Sequence, residues 1–152
     1  MREKRMLQEA QVSFKPGYDL DELEVLRTSN ECASFFRSIW EDDLMYRERM
    51  YMILLNRASK VIGFNLLSIG GASGTIVDLK LVFQCAILTN ASAIVLAHNH
   101  PSGTLYPSNS DIEITKRVKR AGDVMEIELV DHIILTQNSF YSFADHSLLN
   151  NF

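Results

Sequence analysis

Two histidines, a serine and an aspartate lie close together in the second half of the chain. One residue separates His98 from His100, and Ser108 and Asp111 follow soon after. Residues at i and i+2 of an extended segment point to the same side, so both imidazoles can face one point. A carboxylate on the next element can complete a three-ligand site, and three protein ligands with a fourth position left to water are typical of catalytic zinc. The pattern therefore predicts metal-assisted hydrolysis. Ser108 and Asp111 also have the spacing of a helix capping box, and Asp111 can serve both purposes.

A hydrolytic zinc site also needs a carboxylate that accepts a proton from water and is not itself a ligand. Glu48 is the best candidate, because it directly precedes an apolar segment, residues 49–55, with the pattern of a strand. If that strand pairs with the one ending at His98, Glu48 reaches the same edge of the sheet. A solvated charge in an Arg-Glu-Arg run is the competing interpretation of Glu48.

Helix and strand patterns alternate along the chain, which predicts an α/β fold. Thr28 and Glu31 form a capping box that opens a first helix. Asp78 caps a second helix that stops near Asn90, and a third begins at Ser108 or Ser110 and closes at Gly122. Strands are predicted over residues 49–55, 61–69, 93–97, 127–130, 133–136 and 140–143.

The strand that precedes the histidines is predicted to be central. Residues 93–97 are entirely apolar, as expected of a strand covered on both faces. Ligand sites gather at the carboxyl ends of such strands in α/β sheets. Ahead of the first helix, residues 1–28 are predicted to form an arm, with a short edge strand over residues 11–14, and residues 29–152 a single domain.

Composition limits the class of protein. A chain of 152 residues is long enough for one domain with its own core. A net charge of −4 argues against a dedicated nucleic-acid binder, which needs clustered Lys and Arg. Cys32 and Cys85 lie far apart and are predicted to be reduced and buried. A charged N-terminus and the lack of an apolar run of about 20 residues predict a cytoplasmic protein without a membrane span.

The order Glu, His-x-His-x7-Ser-x2-Asp resembles the JAMM motif of the JAB/MPN metalloprotease superfamily. The string His98-Asn99-His100-Pro101-Ser102-Gly103 is similar to the signature of the RadC-like branch of that superfamily. The resemblance extends from about Glu48 to Phe143. It implies a mixed sheet flanked by helices, in a three-layer architecture related to that of cytidine deaminases.

The resemblance also implies a role for each motif residue. His98, His100 and Asp111 match the zinc ligands of the family. Glu48 matches its general acid/base, and Ser108 matches the residue that helps to stabilise the oxyanion. The implied reaction is hydrolysis of peptide or isopeptide bonds, with a peptide or protein as substrate.

Two departures from the RadC-like branch keep a second interpretation open. Residues 1–45 lack the Gly-containing helix-hairpin-helix pattern that precedes the metal domain in that branch, which weakens a DNA role. The loop over residues 104–106 lacks the acidic and proline residues often found there. The second interpretation is a non-catalytic accessory module that binds DNA or a protein partner through the same fold.

Several other features have two interpretations. His132 is predicted to be a structural histidine, with support of a metal ligand as the alternative. A basic cluster after the site is predicted to be a solvated helix face, with a weak nucleic-acid contact as the alternative; its members are Lys116, Arg117, Lys119 and Arg120. A nucleobase deaminase would need a Pro-Cys-x-x-Cys pair, which the chain lacks. An HNH nuclease spreads its histidines over a hairpin and a helix, whereas His98 and His100 are nearly adjacent.

Overall fold

The computed structural model of the chain describes residues 16–17, 19–41, 43–70 and 77–152. In chain order the elements are α1 (Ser29–Ile39), β1 (Arg49–Leu55), β2 (Val61–Ile69), α2 (Leu79–Leu88), β3 (Ala93–Asn99), α3 (Asn109–Met125), β4 (Glu128–Leu135), β5 (Phe140–Ser142) and a 3₁₀ turn (Leu149–Asn151).

The five strands form one mixed sheet in the order β2-β1-β3-β4-β5. β1 pairs antiparallel with both β2 and β3, and β4 pairs antiparallel with β5. β3 and β4 are parallel, and α3 provides the crossover that such a pair requires. Every residue of β1 and β3 is buried, as expected for central strands covered on both faces.

Helices cover both faces of the sheet, which gives three layers. Phe83 of α2 and Val118 of α3 pack in one core cluster with Ile94. Phe36 of α1 packs on the other face, in a second cluster with Val95. The prediction of an α/β fold with a mixed sheet flanked by helices is confirmed.

The predicted starts of the helices agree with the structure, but the predicted end of α3 does not. Thr28 and Glu31 form the predicted capping box, and the Asp78 carboxylate accepts from the Lys80 N–H at 2.8 Å. The predicted stop at Gly122 is wrong, because α3 continues to Met125. Gly122 instead allows a close approach: a Cβ there would lie 2.3 Å from the carbonyl oxygen of Ile127.

The predicted break between residues 130 and 133 is also wrong, because β4 runs unbroken over Glu128–Leu135. Two polar residues suggested the break, yet both Asp131 and His132 are buried. Asp131 accepts hydrogen bonds from the Ser142 hydroxyl at 2.6 Å and from the backbone N–H groups of His132 and Ala144. Buried polar groups with full hydrogen bonding are compatible with a central strand.

The remaining predictions have mixed outcomes. The strand expected over residues 11–14 lies outside the described residues. Within the predicted arm, Val25 forms a bridge with Lys60, and Leu26 is 3% exposed and packs in the core beside α1. Neither cysteine forms a disulfide; Cys32 is buried and Cys85 is half-buried. In the part of the chain that the structure describes, no helix combines the length and apolarity needed to cross a bilayer.

Candidate metal centre

The three predicted metal ligands meet where β3 ends and α3 begins. His98 is the second-last residue of β3 and is fully buried, and His100 follows directly after β3. The Nε2 atoms of the two histidines are 2.9 Å apart. Asp111 presents Oδ1 to His98 Nε2 at 3.2 Å and Oδ2 to His100 Nε2 at 3.4 Å. All three ligand atoms lie within 4.8 Å of one another, so this cluster can hold a metal ion.

Asp111 is also part of the capping box at the start of α3, with Ser108 as the N-cap residue. Its Oδ2 accepts from both the backbone N–H and the hydroxyl of Ser108, each at 2.7 Å, and the Asp111 N–H donates back to the Ser108 hydroxyl. Burial acts to raise the pKa of Asp111, but hydrogen bonds from His100, His98 and Ser108 outweigh it and leave the pKa far below its ordinary value. Asp111 is therefore held as a carboxylate, the form that binds a metal.

His100 is fixed in the orientation that a metal ligand needs. Its Nδ1 lies 2.6 Å from the carbonyl oxygen of Thr104, which can only accept, so Nδ1 carries a proton and Nε2 is the nitrogen that faces Asp111 and can bind a metal ion. The hydrogen bond to Asp111 raises the pKa of His100 against the opposing effect of burial. The pocket therefore favours positive charge at this point.

The donor set fits zinc. Two imidazole nitrogens and one carboxylate oxygen are ligands that Zn²⁺ accepts. His100 and Asp111 are each held by a hydrogen bond to a residue outside the cluster. His100 is held by the Thr104 carbonyl and Asp111 by the Ser108 hydroxyl. Such supporting bonds are a regular feature of metal sites in proteins.

Glu48 reaches the same edge of the sheet through the pairing of β1 with β3. Met50 is the partner of His98 in this antiparallel register, which brings the residue two positions before Met50 towards His100. The backbone carbonyl of Glu48 accepts from the Gly70 N–H at 2.8 Å, which ties it to the end of β2. The negative charge of Glu48 contributes to the raised pKa of His100.

An open cleft of about 960 Å³ lies over the site. Its walls are formed by Tyr46, Arg47, Glu48, Gly70, His100, Pro101, Ser102, Thr104, Tyr106, Pro107 and Ser108. The structure thus brings four of the five motif residues to one place with direct contacts among His98, His100, Ser108 and Asp111, and puts Glu48 on the wall of the adjoining cleft.

Asn99 is a site residue that the sequence analysis did not single out. Its side chain accepts from the Arg49 N–H at 2.8 Å and donates to the carbonyl oxygens of Leu44 and Arg47 at 2.7 and 2.9 Å. These bonds join the strand that bears the histidines to the segment that leads into Glu48. The position of Asn99 between the two histidines was the only signal in the sequence. Its hydrogen-bond partners could not be predicted, because they depend on strand register.

His132 lies beside the metal cluster, where the alternative interpretation put it. Its Nε2 is 2.8 Å from His98 Nδ1, and its Nδ1 is 2.7 Å from the hydroxyl oxygen of Thr115. Thr115 was not predicted to take part in the site. It lies on α3 one turn after Asp111 and donates to the Asp111 carbonyl.

Part of the basic cluster on α3 already has partners within the chain. The Lys119 ammonium lies 3.4 Å from the Asp123 carboxylate, and the Lys116 ammonium lies 5.2 Å from the centre of the Phe152 ring. These contacts support the interpretation of a solvated helix face.

Fold and site together define a class of protein: three-layer α/β domains in which a His-x-His pair at a strand end and an aspartate at the next helix start lie close enough to hold a metal ion. The model of the RadC-like JAB domain family matches residues 26–148. The chain belongs to this family, and the resemblance noted in the sequence is confirmed.

Three relatives illustrate the extent of the similarity. A UPF0758 protein of Flavobacterium johnsoniae is 37% identical over 130 residues, which cover 86% of this chain and 56% of that protein. A UPF0758 protein of Porphyromonas gingivalis is 45% identical over 104 residues, covering 68% and 46%. One from Finegoldia magna is 44% identical over 95 residues, covering 62% and 43%. The chain spans about half the length of the curated relatives it matches.

Proposed function

We propose that this protein is a zinc-dependent hydrolase that cleaves peptide or isopeptide bonds. The observation that carries the proposal is the convergence of His98, His100 and Asp111 within 4.8 Å, beside a cleft whose wall bears Glu48. In a hydrolase, zinc supplies Lewis acidity, which polarises the scissile carbonyl and makes water more acidic. The protein must then provide the proton transfer, the orientation of the ligands and the binding of the substrate.

Glu48 is the proposed proton carrier. It accepts a proton as the attacking water loses it and returns it to the leaving amine, so the carboxylate is regenerated. Its backbone is held at the end of β2 through Gly70, and the segment before it is held by Asn99. These bonds fix the backbone from which the Glu48 side chain extends beside the cleft, which suits general acid/base catalysis.

Ser108 is proposed to stabilise the oxyanion. Its hydroxyl donates to Asp111 Oδ2, so it must redirect this proton towards the substrate. The Ser108 backbone N–H also donates to Oδ2 at 2.7 Å and keeps the Asp111 carboxylate in place meanwhile. The backbone bond therefore leaves the hydroxyl available without loss of the ligand's orientation.

The shape of the cleft supports a peptide or protein substrate. It is open to solvent, and two exposed aromatic side chains, Tyr46 and Tyr106, lie on its walls at 71% and 76% exposure. Exposed aromatic rings beside an open groove can pack against an extended chain, because they bury large area at little entropic cost.

The test separates metal binding from proton transfer. The Glu48→Gln variant is expected to keep about one zinc per chain and to lose hydrolysis of fluorogenic peptide and lysine-isopeptide probes by roughly 10²–10⁴-fold, the usual contribution of a general base. His100→Ala is expected to lose the zinc. Glu128→Gln is the matched control, because Glu128 is exposed and pairs with the opposite end of β3. Unchanged turnover in Glu48→Gln would remove Glu48 from its role, and a zinc-loaded wild-type protein inactive on every probe would contradict the proposed reaction.

A further inference from the structure

We infer that Thr115 and His132 form a positioning pair that fixes the tautomer of His98, so that His98 Nε2 faces the metal site with a lone pair. This inference rests on the metal site of the proposed function but not on the reaction. It assigns to two buried polar residues, outside the recognised motif, a part in metal affinity.

The direction of the first hydrogen bond follows from Thr115. Its hydroxyl has one proton, and a carbonyl oxygen can only accept, so that proton goes to the carbonyl of Asp111. Towards His132 Nδ1, at 2.7 Å, the hydroxyl oxygen must therefore be the acceptor. His132 Nδ1 carries a proton as a result.

The second hydrogen bond follows from the neutrality of His132. His132 is fully buried, and the partners of its two ring nitrogens, Thr115 and His98, carry no negative charge that could stabilise an imidazolium, so the ring has a single N–H. With that proton on Nδ1, His132 Nε2 can only accept. At 2.8 Å it accepts from His98 Nδ1, which leaves Nε2, 3.2 Å from Asp111 Oδ1, as the nitrogen of His98 that can bind a metal ion.

The surroundings of His132 hold its ring in this orientation. His132 and Thr115 are fully buried, and the Phe143 ring stacks on His132 with 4.8 Å between centroids and 11° between planes. Both ring nitrogens of His132 are engaged by polar partners, as a buried imidazole requires. A hydrophobic core needs no such chain of polar groups, so its presence behind a ligand calls for a functional reason.

The hydrogen bonds form a closed circuit through three elements. They run from His98 on β3 to His132 on β4, then to Thr115 on α3, and return through the Asp111 backbone to the carboxylate ligand. Because α3 carries both Asp111 and Thr115, the same helix supplies one ligand and orients another. Partners of this kind typically account for 10- to 100-fold in metal affinity.

The tautomers can be measured directly. Long-range ¹H–¹⁵N correlation spectra of the ¹⁵N-labelled protein, with zinc and after chelation, are expected to show the proton on Nδ1 in His98, His100 and His132. A His98 ring without a proton on Nδ1, in either state, would overturn the inference. This measurement needs no variant and no substrate.

Two variants test the effect on affinity. Thr115→Val keeps the shape but removes the acceptor, and zinc binding measured by chelator competition is expected to weaken by roughly 10- to 100-fold. Thr115→Ser keeps the hydroxyl and is expected to stay within about threefold of wild type. The same zinc affinity in Thr115→Val and wild type would overturn the inference and leave the proposed function intact, whereas a wild-type protein that binds no zinc would overturn both.

Discussion

Replacing Asn99 should separate the stability of the fold from metal binding. Asn99 is fully buried and makes three hydrogen bonds to backbone groups. Leucine has a similar size but leaves the Arg49 N–H and the carbonyls of Leu44 and Arg47 without this partner. A buried group left unsatisfied costs about 1–3 kcal/mol. The bond to Arg49 is fully buried and the other two are partly buried, so water can compensate for part of the loss at the carbonyls.

The expected loss in the free energy of unfolding for Asn99→Leu is therefore about 3 kcal/mol. In a domain of this size that corresponds to a fall of roughly 6–12 °C in the melting temperature. Asn99→Asp keeps the acceptor for Arg49 but sets a carboxylate oxygen against two carbonyls, so a loss of similar size is expected. Asn138→Asp, at an exposed turn position, is the control and should have little effect.

Calorimetry gives the stability, and metal analysis gives the zinc content of the same samples below their melting temperature. Zinc should stay bound, because His98 and His100 carry the ligand atoms, while hydrolysis per bound zinc should fall as the segment before Glu48 loses its anchor. A loss of stability below about 1 kcal/mol, the net value of a single ordinary hydrogen bond, would refute the reasoning. Loss of zinc in proportion to lost stability would also refute it.

Two further predictions concern the scaffold. Alanine is favoured over glycine in helices by about 1 kcal/mol, but Gly122→Ala should destabilise the protein by about 2 kcal/mol or more, because its Cβ would lie 2.3 Å from the Ile127 carbonyl oxygen. The comparison in thermal denaturation is Gly63→Ala, whose Cβ makes only an ordinary contact at 3.5 Å. Equal stability of Gly122→Ala and wild type would contradict the prediction. Burial, reinforced by nearby acidic side chains, raises the pKa of Cys32 to about 12. Iodoacetamide should therefore modify the half-buried Cys85 first in the folded protein, and mass spectrometry that found Cys32 modified first would contradict this.

The three residues of the candidate metal cluster could be predicted because their placement depends on local geometry. His98 and His100 share a side of one extended segment. The position of Asp111 follows from the helix start, because Ser108 is the N-cap residue and Asp111 lies in the first turn. The position of Glu48 required one further assumption, that β1 lies beside β3, and the pairing of the two strands agrees with it. Only the placement of Glu48 depends on residues that are far apart in the sequence.

The residues that support the ligands could not be predicted, because their partners depend on register and on helix packing. Asn99 finds its partners through the pairing of β1 with β3, and His132 meets His98 through the parallel pairing of β3 with β4. Asp131 and His132 even suggested a strand break, since a polar pair inside a strand pattern has no visible compensation in the sequence. The compensation comes from Ser142 and Thr115, on other elements.

The central position of β3 sets how the site can open. Strands flank β3 on both sides, so its amides should exchange with deuterium only through openings close in free energy to global unfolding. His98 therefore belongs to the part of the domain that is expected to exchange most slowly, whereas Glu48 and His100 lie just beyond the ends of β1 and β3. Binding of an ion or of a bulky chain is therefore expected to move the rim of the cleft more than His98 beneath it.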